Sequence, residues 1–150
     1  MKTIAGIEGY KALVGQPLGE SEWLEVDQER INQFADATGD HQWIHVDVEK
    51  AKQGPFGTTI AHGFLTLSLI PGLTGGLLKI DGVRMGINYG LNKVRFPSPV
   101  RAGSKVRASV KNLSVEDVQG GIQIVNEVTI SIEGEPKPAC VAETVSRLYT

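Results

Sequence analysis

The spacing of hydrophobic residues changes character three times along the chain. In Gln28–Thr38 the apolar residues Ile31, Phe34 and Ala35 fall on one helical face, with Asp27 where an N-cap belongs and Gly39 where a helix ends. This predicts a short amphipathic helix lying on a surface. From His62 to Leu78 the sequence is apolar nearly all round, as a helix buried on every side requires, with a kink or break at Pro71 because proline removes a backbone donor and crowds the preceding turn. The remaining residues read at period two, as strands over 83–96, 104–116, 121–133 and 138–149. Val106, Ala108 and Val110 alternate with Arg107, Ser109 and Lys111, and Ile122, Ile124, Val128, Ile130 and Ile132 share a second face. Short turns at Gln119-Gly120-Gly121 and Glu133-Gly134-Glu135-Pro136 favour antiparallel neighbours. Residues 1–26 carry the weakest pattern and read as a loosely structured arm ending in a short strand. Val48–Lys52 adds one helical turn. The economical architecture is α+β, a curved antiparallel sheet wrapped around a central buried helix.

Composition narrows the class. A length of 150 residues suits one domain, 1–150, with a substantial core. Hydrophobic residues at 41%, charged residues at 21% and a net charge of −2 mark an ordinary soluble globular chain and exclude disorder, collagen and coiled coil. The charge balance also removes the field that drives binding to nucleic acid or to an anionic membrane. One cysteine, Cys140, forms neither an internal disulfide nor a thiolate metal cluster, reads as a small core residue and favours a reducing compartment, by default the cytoplasm. The first fifteen residues have no apolar core of signal-peptide length, and no stretch matches a membrane span.

All three histidines fall within residues 41–62. Asp40 supplies a carboxylate just past a helix end, and His45 an imidazole that exchanges protons near neutral pH. Irregular backbone between them lets both converge on one water. Gly63 opens the central helix, so its N–H is one of the unpaired donors at the positive end of the helix and suits an oxyanion. Each residue also has a plainer reading. Gly39-Asp40 is a capping turn, His62 anchors the loop before the helix or lines a pocket, and His41 is an exposed turn residue. A metal site from His41 and His45, four apart, with Asp40 and His62 is a competing reading; no glutamate completes an H-E-x-x-H pattern. Gly75-Gly76 lacks both the dinucleotide and the Walker contexts.

The segments Gly39-Asp40-His41-Gln42-Trp43-Ile44-His45 and Phe56-Gly57-Thr58-Thr59-Ile60-Ala61-His62-Gly63, followed by Phe96, Pro99, Val100 and Gly103, resemble in order and spacing the signature of the MaoC-like dehydratases, the (R)-specific enoyl-CoA hydratases of the hot-dog fold. The resemblance runs over roughly residues 20–145. It departs at Gln42-Trp43, where the family commonly has Asn-Pro, and at Pro71, where some relatives place a hydroxyl residue. It implies a hot-dog domain and reversible hydration of a trans-2-enoyl thioester to the (3R)-3-hydroxyacyl thioester. Asp40 and His45 would be catalytic and the Gly63 N–H would form the oxyanion hole. No metal, flavin or nicotinamide cofactor is needed, since coenzyme A or an acyl carrier enters with the substrate. Weaker candidates on the substrate side are His62, Asn88, Tyr89, Lys93 and Arg95. The last two belong to a run over 93–107 with five cations and no acid, which meets the phosphates of coenzyme A or an acidic acyl carrier protein, or else is a solvated strand face. A homodimer is implied, with neither nucleic acid nor membrane as partner. A hot-dog acyl-CoA thioesterase and a non-catalytic acyl-thioester-binding or assembly subunit are the alternatives.

Overall fold

In the computed structural model, which describes residues 1–150, the elements run β1 (Lys2–Ile4), α1 (Gly6–Lys11), β2 (Pro17–Glu20), β3 (Leu24–Val26), α2 (Gln28–Thr38), α3 (Trp43–Val46), α4 (Val48–Lys52), α5 (Gly63–Ser68), α6 (Ile70–Thr74), β4 (Leu78–Ile80), β5 (Met85–Arg95), β6 (Ser104–Val118), β7 (Gly121–Ile132) and β8 (Cys140–Tyr149). The four long strands are those that alternation predicts, since a strand with one buried face must place apolar residues at every second position. They join an antiparallel sheet in the order β2-β6-β7-β8-β5, and β3 pairs with β6 beyond the end of β2. A small parallel pair, β1 with β4, sits apart.

The core lies between the concave face of this sheet and the helical segments. Val106, Ala108, Ile130, Cys140 and Ala142 are fully buried there and pack in one cluster with Leu65 and Ile70 from α5 and α6, and with Ile31 from α2. This is the hot-dog arrangement, an open sheet curved over a helical centre and not closed into a barrel. Burial pushes the Cys140 thiol up to about 11, which makes it an inert core group. No helix is long and apolar enough to cross a membrane.

Two expectations need correction. The helix expected over 62–78 is two short helices, because the α-helical ladder stops at Leu69 and restarts with Pro71 in the first turn of α6, where a missing N–H costs nothing. Nor is it buried all round: the sheet covers Leu65, Thr66 and Ile70, while Phe64 on the opposite side is 70% exposed. The N-terminal arm is not loose. Tyr10 is buried against Ile4, Ile122 and Ile124, and the chain after it is tied to β6 by Gly15 N–H donating to Asn112 O and Asn112 N–H donating to Gln16 O, at 3.0 and 3.1 Å. Its elements are three to six residues long, too short for a period to register. At the opposite edge, β5 pairs only with β8 and leaves Met85, Ile87, Tyr89 and Leu91 exposed.

The core assignment has a direct test. Ile130→Ala removes a fully enclosed side chain and should lower unfolding stability by about 2–5 kcal/mol with an unchanged denaturant slope, whereas Val48→Ala on the exposed turn should stay within about 0.5 kcal/mol. Equal losses in urea titrations would contradict the packing described.

Candidate active site

The site is built where α2 ends. Asp27 caps that helix by accepting from Arg30 N–H at 2.9 Å, and Gly39 ends it in the left-handed conformation, φ 82°, with its N–H on Ala35 O at 2.8 Å. The chain therefore turns sharply into Asp40, whose Oδ1 accepts from Gln42 N–H at 3.2 Å. The short helix α3 then carries His45 inward to 7% exposure. The facing segment 59–61 is held as if it were a strand. Ile60 N–H donates to Ile44 O (3.0 Å), Ala61 N–H to Val100 O (2.8 Å) and Ala102 N–H to Thr59 O (3.0 Å), so the Pro99-Val100 element fixes the approach to α5.

Backbone carbonyls set the state of both buried imidazoles. A carbonyl only accepts, so the 2.7 Å contact from His45 Nδ1 to Ile60 O places the proton on Nδ1 and leaves Nε2 as the lone pair of the neutral ring. By the same reasoning His62 Nε2–H donates to Asp40 O at 3.0 Å, and its buried Nδ1 has no partner. The two rings stack with centroids 3.8 Å apart, and Phe34 covers His62 from the other side at 4.9 Å. Asp40, His45 and His62 each bring a ligating atom within 4.8 Å of the others. Burial lowers the His45 pKa; the Ile60 hydrogen bond opposes the shift, His62 reinforces it and the Asp40 charge opposes it. The imidazole is thus held in the form that accepts a proton.

Gly63 is the first residue of α5, and the side chain of its N-cap, His62, makes no capping hydrogen bond. A Cβ at Gly63 would lie 3.1 Å from the ring of Phe96, so glycine is needed here for close approach and not for an unusual φ. Two residues escaped the sequence reading. Gln28 Nε2 donates to His45 O at 2.8 Å, and its Oε1 accepts from the Thr59 hydroxyl, which clamps α3 to the 59–61 segment. Both are polar residues in positions where solvent exposure is the default, and nothing local marks them.

The remaining candidates separate. His41 points outward and pairs with Asp36 at 3.0 Å, a hydrogen bond that raises its pKa, so the metal arrangement built on His41 and His45 does not form. A cavity of about 640 Å³ lies between α5–α6 and the sheet, lined by Leu67, Leu77, Ile124 and Leu148 among others, and Asn88 lines it as expected. It begins one helical turn beyond Gly63, and Asp40 is exposed on the single chain. Tyr89 does not line it: the residue is 59% exposed, with the Arg147 guanidinium 3.9 Å over its ring. Lys93, 3.7 Å from Glu143, and Arg95 lie on the solvated outer face of β5, again outside the cavity.

Comparison with known proteins matches residues 10–134 to the family model described as the MaoC like domain. The chain belongs to the MaoC-like domain family. It is 53% identical over 148 residues to the 3-hydroxyacyl-thioester dehydratase Z of Mycobacterium tuberculosis, covering 98% of each chain. It is 51% identical over 137 residues to the nodulation protein N of Rhizobium leguminosarum bv. viciae, covering 89% of this chain and 84% of that one. Among solved structures, the (R)-hydratase from A. caviae involved in PHA biosynthesis matches with a TM-score of 0.74 and 27% identity over 90% of this chain and 96% of that one. This MaoC-like chain is an enzyme of the hydro-lyase class.

The electrostatics predict an order of titration. In a histidine NMR titration, His41 should titrate above the ordinary value near 6.5 and His45 below it. Because the native His45 pKa is depressed, the unfolded chain binds that proton more readily. Its share of stability is complete above the unfolded value and disappears as pH falls through the native one. Finding His45 above His41 would overturn the burial argument.

Proposed function

We propose that this chain hydrates trans-2-enoyl thioesters reversibly to (3R)-3-hydroxyacyl thioesters, with Asp40 and His45 as the catalytic pair. The observation that carries the reading is the His45 Nδ1 hydrogen bond to Ile60 O, with ligating atoms of His45, Asp40 and His62 all within 4.8 Å of one another just before α5. Water at neutral pH is a weak nucleophile, so a positioned base is what the reaction lacks in solution. Asp40 and His45 hold one water; as it adds to Cβ they take its proton, and a proton returns to Cα. Charge that moves onto the thioester oxygen during the attack is received by the Gly63 N–H, a kind of contact worth about 3–4 kcal/mol in other enzymes. His62 fixes Asp40 through its main chain and backs His45 by stacking. Dehydration is the same path reversed. The printed names of the dehydratase from M. tuberculosis and the (R)-hydratase from A. caviae support the substrate class.

The 150 residues work as one domain and as a homodimer. The unpaired edge β5, with its exposed Met85, Ile87, Tyr89 and Leu91, is a surface that a second copy would cover, since open apolar edges otherwise aggregate. That edge runs into Phe96, which packs on Gly63, so the partner would also wall the open side of the site. Lys93 and Arg95 on this outer face meet the phosphates of coenzyme A or an acyl carrier protein. A cytoplasmic location fits the single inert thiol.

Loss of the enoyl-thioester absorbance of crotonyl-CoA should be catalysed by the wild-type chain. Asp40→Asn and His45→Ala should each slow it by about 10²–10⁴-fold. The rate should fall as pH drops through the depressed His45 pKa, and should survive exhaustive chelation. Folded variants with undiminished rates would remove the pair from the mechanism, and release of free thiol would make the enzyme a thioesterase. Met85→Glu with Tyr89→Glu should shift the light-scattering mass from dimer to monomer.

A further inference from the structure

The concave face of the sheet is laid out in rows of residues that stand directly opposite one another. Ala108, Ile130 and Cys140 form one row across β6, β7 and β8, and Val110, Val128 and Ala142 the next; both are apolar and buried. The third row is polar at Asn112, Asn126 and Thr144 and ends on Leu91 of β5. In the fourth, Ile124 stands beside Ser146, and Ser146 beside Asn88 of β5. Polar side chains from all four long strands therefore gather on a sheet face that is otherwise apolar.

Part of this group is structural. Asn112 Nδ2 donates to Asn126 Oδ1 at 2.9 Å and to the Tyr10 hydroxyl at 3.2 Å, and the Tyr10 hydroxyl donates to Asn126 Oδ1 at 3.3 Å. These bonds fasten the N-terminal arm to the sheet. Asn112 Nδ2 also faces the carbonyls of Ser114 and Val125, both at 3.4 Å, which identifies it as the amide nitrogen and the Asn126 atom opposite it as the oxygen. Asn126 Nδ2 is then left without a protein partner on a residue that lines the cavity. Ser146 and Asn88 line the same cavity with no side-chain hydrogen bond, and Thr144 Oγ1 has only a 3.5 Å contact with Asn126 O. Fastening the arm requires none of these three.

A plain hydrocarbon chain filling this cavity would strip water from four polar side chains and give nothing back. A chain carrying an oxygen at this depth would keep them paired. We propose that the cavity receives an acyl chain bearing an oxo or hydroxyl oxygen remote from the thioester, and that Asn126, Thr144, Ser146 and Asn88 bind that oxygen. The inference rests on the enoyl-thioester reading above and specifies its substrate class. An oxo oxygen accepts from Asn126 Nδ2–H and from the Ser146 hydroxyl; a hydroxyl group can in addition donate to the Thr144 or Asn88 oxygen.

The test compares trans-2-enoyl-CoA thioesters of equal length, one unsubstituted and the others carrying an oxo or hydroxyl group moved one carbon at a time along the chain. At the best position kcat/KM should exceed that of the unsubstituted chain by about tenfold or more. The preference should fall to near parity in Thr144→Val with Ser146→Ala, whose fold is checked by thermal melting. Saturated acyl-CoA pairs of the same design, which do not react, should show the same order of affinity by calorimetry. If no enoyl thioester is turned over, the hydratase reading fails while calorimetry still decides the ligand class. An unsubstituted chain that is equal or better at every oxygen position, or a preference that survives the double substitution, overturns the proposal.

Discussion

The hydrogen bond from His45 Nδ1–H to the carbonyl of Ile60 is the constraint on which the site depends. It joins two segments fifteen residues apart, selects one tautomer of the imidazole and exposes Nε2 as a base. Everything around it serves to keep that carbonyl still. Ile60 is held by its own N–H on Ile44 O, and its neighbours Thr59 and Ala61 are bound to residues 100–102. Gln28 closes the loop from the far side by holding both His45 O and the Thr59 hydroxyl. A histidine on a four-residue helix is thereby held rigidly, with backbone donors and acceptors in place of a long regular element.

Burial and the neighbouring His62 both lower the His45 pKa, against the Ile60 hydrogen bond and the Asp40 charge. His62 stacks on His45 and discourages a second positive charge, while the apolar cover of Phe34 withdraws solvent from His62. A neutral imidazole beside a carboxylate is poised to take a proton near neutral pH, which an imidazolium is not. His41, only four residues before His45, shows the contrast: on the surface beside Asp36 its charged form is favoured. Location in the fold, and not residue type, separates the two histidines.

The broken helix has a consequence for the space beneath it. An uninterrupted apolar helix over 62–78 would press a continuous ridge onto the sheet; the interruption around Leu69–Pro71 instead leaves α6 and the following turn to form one wall of the cavity, with Pro71, Thr74 and Gly75 among its lining. The opposite wall is the sheet, whose inward rows change from apolar to polar at Asn112–Asn126–Thr144. The candidate site and the cavity are adjacent along α5, the cavity beginning one helical turn beyond Gly63.

What the sequence alone determined was local. Alternation specified β5 to β8, the pairing of Asp27 with Gly39 bounded α2, Pro71 marked a break, and the ordered segments around Asp40, His45 and Gly63 singled out a candidate site, because caps, turns and one-sided burial leave their mark within a few residues. What only the tertiary structure decided was relative placement. The ordered arm around Tyr10, the clamp by Gln28 and Thr59, the outward turn of Tyr89 and the alignment of Asn112, Asn126 and Thr144 all arise from strand register and from contacts between residues 17 to 116 positions apart. Such contacts impose no period on the chain. Their polar members look like any solvated residue until the fold has closed over them.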